Sequence, residues 1–424
     1  MPQRSRGPRP DELRAAAMLA AAIFAVAAWC DLAGVALSSL PPPRIAALHT
    51  TMRATVAGAA PVRIVARPSP AMADGTPSSL SGRVFWLSHA FRPGDRHLVD
   101  VVGAGDVMMG SRDYGLNPAL GENADAAVLL GSALTAIFRR ADIAFANLEG
   151  PLYDGDDPPA KDCDHCYAFR SPTSYARFLA QLGLGAVSLA NNHSGDFGED
   201  GTSSTIEALR ASKIGFCGLD RDGARIAEFA LANGKRAALV AFAPNTGTLD
   251  INDADAEARI VRTLKQSFAI VIVSFHGGGE GEDYLHVADG EEYFHGEDRG
   301  NVVQFAHTAV AAGADIVIGQ GPHVPRALEI YRGHLIAYSL GNFWTYGAID
   351  ISAIRGAGPV LEAWLAPDGT VAGFAIHSTE QREAGMPRPD PANDAERTML
   401  ALTRSDFPDT AAMLDAAERD TLTK

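Results

Sequence analysis

The sequence predicts an α/β protein with two packed mixed β-sheets flanked by helices. Three observations carry this expectation. Short apolar runs alternate with segments of helical periodicity over residues 97–325, the pattern of strands connected through helices. Turn signals at Asn233-Gly234, Arg332-Gly333 and Asp368-Gly369 bring hairpins into the second half, so antiparallel pairs must join the parallel ones. The run Phe268 to Phe275 is almost wholly apolar, as expected of a strand buried on both faces.

At 424 residues, with 47% hydrophobic content, the chain can build one large core or two and is not a disordered polypeptide. A net charge of −15 excludes general nucleic-acid binding, which wants a basic face. An acidic substrate would need a local cationic centre, such as a metal or an arginine cluster.

The elements follow in order. Residues 1–39 join a basic head (Arg4, Arg6, Arg9, Arg14) to an apolar run from Ala15 to Cys30 that resumes from Leu32 to Leu37. This is the pattern of an export signal or of an uncleaved anchor over residues 15–37, since the combined run approaches the ~20 residues that span a bilayer. Residues 40–95 are rich in Pro and Ala and read as a linker or edge decoration in which Val62 to Val65 could form a strand. The main domain covers 96–385. Its first strand, Leu98 to Gly103, runs into Gly105-Asp106-Val107-Met108-Met109-Gly110. Asn123 to Arg140 reads as one helix, with Leu129, Leu130, Leu134, Ile137 and Phe138 on one face. The strand Ile143 to Ala146 ends in Asn147-Leu148-Glu149. A polar loop then holds Cys163 and Cys166, read as a local disulfide or as a plain pair of loop thiols, with no second pair to complete a zinc site. A helix from Pro172 to Leu182 precedes the strand Gly185 to Ser188, which ends in Asn191-Asn192-His193, and a further helix starts near Thr202. The hairpin Arg225 to Ala243, the helix Ala254 to Gln266 and the Phe268 strand ending at His276 come next. The helix Asn301 to Gly313 and the strand Asp315 to Ile318 lead to Gly319-Gln320-Gly321-Pro322-His323. Two hairpins follow, and residues 386–424 read as a peripheral helical tail.

Five strands thus end in Asp106, Glu149, Asn192-His193, His276 and His323. Ligands of open α/β sheets converge at the carboxyl ends of strands. Carboxylate, amide oxygen and imidazole together suit a divalent transition metal, which could activate water or stabilise a transferring oxygen.

These motifs, with Asp196 and Gly198, Glu280 after His276-Gly277, Gly313 to Gly319, and Tyr338-Ser339-Leu340-Gly341-Asn342-Phe343, resemble the poly-γ-glutamate capsule synthesis family of the CapA type. The resemblance covers about residues 97 to 345. It implies the four-layer sandwich of metallo-dependent, calcineurin-like phosphatases and a cofactor of one or two divalent ions (Mn, Fe, Zn or Mg). It implies Asp106, Glu149, Asn192, His276 and His323 as ligands and His193 as general acid. Asn191, Asp196, Glu280, Gln320, Asn342 and Arg112 are expected around them, as substrate contacts or supports of the ligands. Imidazoles of the fuller patterns are absent at both places: Met108 stands two residues after Asp106, and Gly319-Gln320-Gly321-Pro322-His323 replaces Gly-His-His-Pro-His.

Three functions are compatible with this reading. The first is an exported, periplasmic or extracytoplasmic metal-dependent hydrolase working on an anionic polymer, through phosphate or amide chemistry and with a membrane capsule-synthesis complex as partner. The second is a non-catalytic capsule-assembly component with a decayed metal site. The third is a generic metallophosphoesterase.

Overall fold

The computed structural model describes residues 63–65 and 82–422, apart from short stretches at 89, 92–94, 96, 112–114, 117–118, 122, 157–158, 161–166 and 348. The N-terminal segment expected to direct export, Cys30, most of the expected linker, Arg112 and the Cys163/Cys166 pair lie outside the described residues. All described residues belong to one unit, Gly58–Lys424.

The sheets form as the apolar runs predict. One sheet has the order 63–65, 226–230, 236–242, 270–276, 316–320, 334–337, 328–331. The other runs 84–86, 371–382, 357–365, 99–108, 143–148, 186–188, 215–217, with 342–345 added beside 99–108 and 386–389 beside 371–382. Strand alternation divides the core into layers. Val99, Val101, Ile143 and Phe145 from one sheet and Leu239, Ile270, Ile272 and Ile318 from the other fill the space between the sheets. The opposite faces are covered by helices. Val102 and Ala104 meet Leu134, Phe138, Phe178 and Leu209, while Val240, Val271 and Val273 meet Val261, Phe305 and Ala309. The result is the expected helix–sheet–sheet–helix sandwich.

Some boundaries differ from expectation. The first strand does not stop at Gly103 but runs from Val99 to Met108. Gly105 makes this possible: a Cβ there would sit 2.0 Å from the Gly341 carbonyl oxygen, which instead accepts from Asp106 N at 2.9 Å. The expected single helix 123–140 is two, Ala126–Leu130 and Ser132–Arg140, broken at Gly131 with φ +85°. Within the 40–95 stretch, Arg63–Val65 pairs parallel with Ile226–Ala230 and Val84–Trp86 pairs antiparallel with Val371–Arg382, so each sheet gains an edge strand. The C-terminal helices Asp394–Asp406 and Pro408–Leu422 are not peripheral: Met399, Leu400 and Leu414 join the inter-sheet cluster and Leu402 the outer one.

Candidate metal centre

Sheet register gathers the site. Asn342, Asp106, Asn147 and Ser188 are lateral partners across four parallel strands. In the facing sheet His276 pairs with Gln320. The carboxyl ends of both groups of strands therefore supply the same rim, as open α/β sheets do.

Asp106, Glu149 and His323 offer ligand atoms that all lie within 4.8 Å of one another. His323 Nδ1 is 3.1 Å from Asp106 Oδ2, and His323 Nε2 is 3.5 Å from Glu149 Oε1. His276 joins them, with Nδ1 3.7 Å from Asp106 Oδ1 and Nε2 3.9 Å from Glu149 Oε1. Both carboxylates and His276 are buried.

The electrostatics follow from that crowding. Burial would raise the Asp106 carboxyl, but hydrogen bonds and charge from His276 and His323 hold it well below the usual carboxylate range. Burial, helped by the charges of Asp106 and Glu280 against that of His323, pushes Glu149 up to about 8. Burial lowers the His276 imidazole, with Asp106 acting the other way. For His323 burial is overcome by the negative charge of Glu149, Asp106 and Glu280, and it rises to about 10.

Buried polar groups normally find partners, yet both oxygens of Glu149, Asn192 Oδ1 and His276 Nε2 make no hydrogen bond, and Asp106 Oδ2 has only the His323 imidazole beside it. Those atoms belong to four of the five expected ligands. The carboxylate and imidazole atoms, left unsatisfied in one buried spot, fit a divalent ion.

The surrounding residues are braces. Asn342 Oδ1 lies 2.9 Å from His323 Nδ1, and its Nδ2 donates to the His323 carbonyl at 3.2 Å. This grip holds His323 at φ +57°, a strained region for a side chain of that size. Asn191 donates to Asn147 Oδ1 and to the Leu148 carbonyl, each at 2.9 Å, and accepts from His193 N at 3.0 Å. It stiffens the turn rather than facing the centre. His193 Nδ1 is 2.7 Å from Asp196 Oδ2, and its ring stacks on Phe169 with centroids 3.9 Å apart.

Gln320 is not brought to the cluster. Its Oε1 accepts from Ser274 at 2.8 Å and its Nε2 donates to Ala104 O at 3.3 Å, so it ties the two sheets together. Arg326, adjacent to the rim motif, is buried in a clamp on Glu292 (2.9 Å) and is not placed for a substrate. Glu280 does reach the centre: Oε2 is 3.8 Å from His323 Nε2.

Sequence reasoning missed Asn147, whose Nδ2 donates to Asp106 Oδ1 at 2.8 Å and lies 3.2 Å from His276 Nδ1. Its signal was present, since Asn147 stands at the end of a predicted strand, two residues before Glu149. Phe169 and Arg299 carried no comparable signal, being far in sequence from any ligand they support.

Fold and cluster together define an α/β sandwich with a buried carboxylate–imidazole centre at the carboxyl rim of both sheets. The chain belongs to the bacterial capsule synthesis protein family PGA_cap, whose model matches residues 100–346. It is 26% identical over 223 residues to the capsule biosynthesis protein CapA of Bacillus anthracis, covering 48% of this chain and 51% of that protein. It is 26% identical over 252 residues to the PGA biosynthesis protein CapA of Bacillus subtilis strain 168, covering 56% and 61%. The chain thus spans about half to three-fifths of the length of these relatives. Among solved structures, the 5'-nucleotidase precursor from Thermus thermophilus aligns with a TM-score of 0.36 at 13% identity, over 73% of this chain and 59% of that one. A purple acid phosphatase from yellow lupin seeds aligns with a TM-score of 0.31 at 15% identity, over 70% and 55%.

Proposed function

We propose that this protein is an exported, metal-dependent hydrolase that acts on an anionic surface polymer of the poly-γ-glutamate type during its synthesis, export or release. The observation that carries the reading is the buried cluster of Asp106, Glu149 and His276 beside His323, with unsatisfied polar atoms on the first three. Family membership and the names of the relatives support the polymer. The basic head and apolar run over residues 15–37 support export and a membrane capsule-synthesis complex as partner.

Asp106, Glu149, Asn192, His276 and His323 would hold the ion. When bound, a divalent ion such as Mn, Fe, Zn or Mg supplies polarisation of a phosphoryl or acyl oxygen and acidifies water. His193 is the proton donor to the leaving group. Asp196 Oδ2, 2.7 Å from Nδ1, occupies that nitrogen, so proton exchange with a substrate falls to Nε2. Stacking on Phe169 fixes the ring plane. The acidic chain has no use for nucleic acid, and phosphate or amide bonds are the substrates within its chemistry.

The test is a panel of phosphate monoesters, phosphate diesters and γ-glutamyl amides, with Mn, Zn, Fe or Mg added to metal-stripped protein. Metal-dependent turnover that falls about 10²-fold or more in His193→Ala, the usual share of a general acid, supports the reading. No turnover of any member with any metal counts against it. Met108 and Gln320, standing where imidazoles are expected, favour a second reading as a non-catalytic assembly component. On that reading His193→Ala leaves capsule formation intact.

A further inference from the structure

We propose that Arg299 is a positioning residue of this centre, holding Glu280 against His323 from inside a sleeve of glycine backbone. The inference rests on the metal reading above. The Arg299 side chain is fully buried. Its Nε donates to the Gly278 carbonyl at 3.1 Å, its Nη1 to Glu297 Oε2 at 3.2 Å, and its Nη2 lies 3.2 Å from Glu280 Oε1. The other oxygen of Glu280 is the one 3.8 Å from His323 Nε2. One carboxylate therefore links the guanidinium to a proposed ligand.

The backbone is built around this arginine. Gly278 N donates to the Arg299 carbonyl and Arg299 N to the Glu292 carbonyl, both at 2.8 Å. A Cβ at Gly277 would lie 2.9 Å from the Arg299 carbonyl oxygen. One at Gly321, where φ is +113°, would lie 3.3 Å from Nη2 and 2.9 Å from Gly277 N. Glycine at 321 leaves room for the guanidinium, and glycine at 277 lets the Arg299 backbone approach. Glu280 itself sits in irregular chain between Gly279 and Gly281, where no helix or strand would fix its side chain. A buried arginine is costly unless it is paired and hydrogen-bonded; here Nε and Nη1 donate to Gly278 O and Glu297, while Nη2 makes no hydrogen bond and faces Glu280 as an ion pair. The planar fork spreads over these three directions at once, which a single ammonium on a flexible stem does not reproduce.

The experiment is calorimetric titration of Mn²⁺ into the metal-stripped full chain, comparing wild type with Arg299→Lys, Glu280→Gln and the double variant, and with folding checked by thermal melting. Lysine keeps the positive charge, so a loss reports geometry and not Coulomb repulsion of the ion. Misplacing an outer support of a metal site typically costs ten- to a hundredfold in affinity. The expected result is a loss of about tenfold or more in Arg299→Lys, a loss in Glu280→Gln, and a double variant no weaker than Glu280→Gln alone. Wild-type affinity in folded Arg299→Lys, or losses that multiply in the double variant, overturns the inference. If Arg299→Lys does not fold, the half-exposed Glu297→Gln decides: a weaker loss in the same direction supports the role and unchanged affinity rejects it. A wild type that binds no Mn²⁺ overturns the metal reading itself, and the positioning role with it.

Discussion

Asp106 and Glu149 share one buried cluster yet titrate in opposite directions. Asp106 has the imidazoles of His276 and His323 against it and stays ionised, whereas Glu149 is governed by burial and rises to about 8. His323, raised to about 10 by its carboxylate neighbours, keeps its proton at neutral pH. Ligation needs Glu149 ionised and His323 neutral. Binding must therefore expel protons, and metal affinity should climb as pH rises from 6 to 9, by about tenfold per pH unit for each proton released. Calorimetry in buffers of different ionisation enthalpy reads both the slope and the released protons; an affinity independent of pH contradicts this account. At this scale the candidate ligands stand out in the sequence because each lies at or just beyond the end of an apolar strand. It hides their supports. Phe169 and Arg299 act on His193 and Glu280 across loops, and nothing in local spacing marks them. Gln320, expected beside the ligands, spends its amide on Ser274 and Ala104 and bolts the two sheets together.

Elements bring these side chains together only if strands approach closely. Gly105→Ala would place its Cβ 2.0 Å from the Gly341 carbonyl oxygen and push apart the Asp106 and Asn342 strands. A stability loss of about 1–3 kcal/mol, the usual cost of overpacking, is expected in urea unfolding, together with weaker metal binding. A change under about 0.5 kcal/mol would show that the strands accommodate it. The helix Ala254–Lys265 carries another device. Glu257 is fully buried on it, neither carboxyl oxygen has a hydrogen-bond partner, and burial pushes it up to about 9. Its folded state holds the proton more tightly than its unfolded state, for which 4.5 is the reference. Its contribution to stability is thus greatest below pH 4.5 and falls as pH rises toward about 9, with a limiting slope of about 1.4 kcal/mol per pH unit. Glu257→Gln should remove that slope and melt higher than wild type at pH 8. Equal pH dependence in the two proteins would contradict it. Strand and helix positions were largely legible from periodicity, and the misses have physical causes: Gly131 breaks a helix whose apolar face continues through it, and Gly105 lets a strand continue where a turn was expected.

At the scale of the molecule, two sheets present their carboxyl ends to one rim, and that shared rim makes residues from positions 106 to 342 neighbours. Alternating strands and helices followed by hairpins made the sandwich readable from sequence. The closing of its far end by the helices 394–406 and 408–422 was not readable, because their apolar residues are sparse. Met399, Leu400 and Leu414 nonetheless enter the inter-sheet core. The central claim is that this rim is a metal centre. The most direct test is elemental analysis of the purified full chain after stripping, reloading with Mn, Zn, Fe or Mg, and exhaustive dialysis. The account predicts a retained stoichiometric divalent ion in the wild type and its loss in Glu149→Gln. A wild type that retains no ion, or a variant that retains as much as wild type, would contradict it.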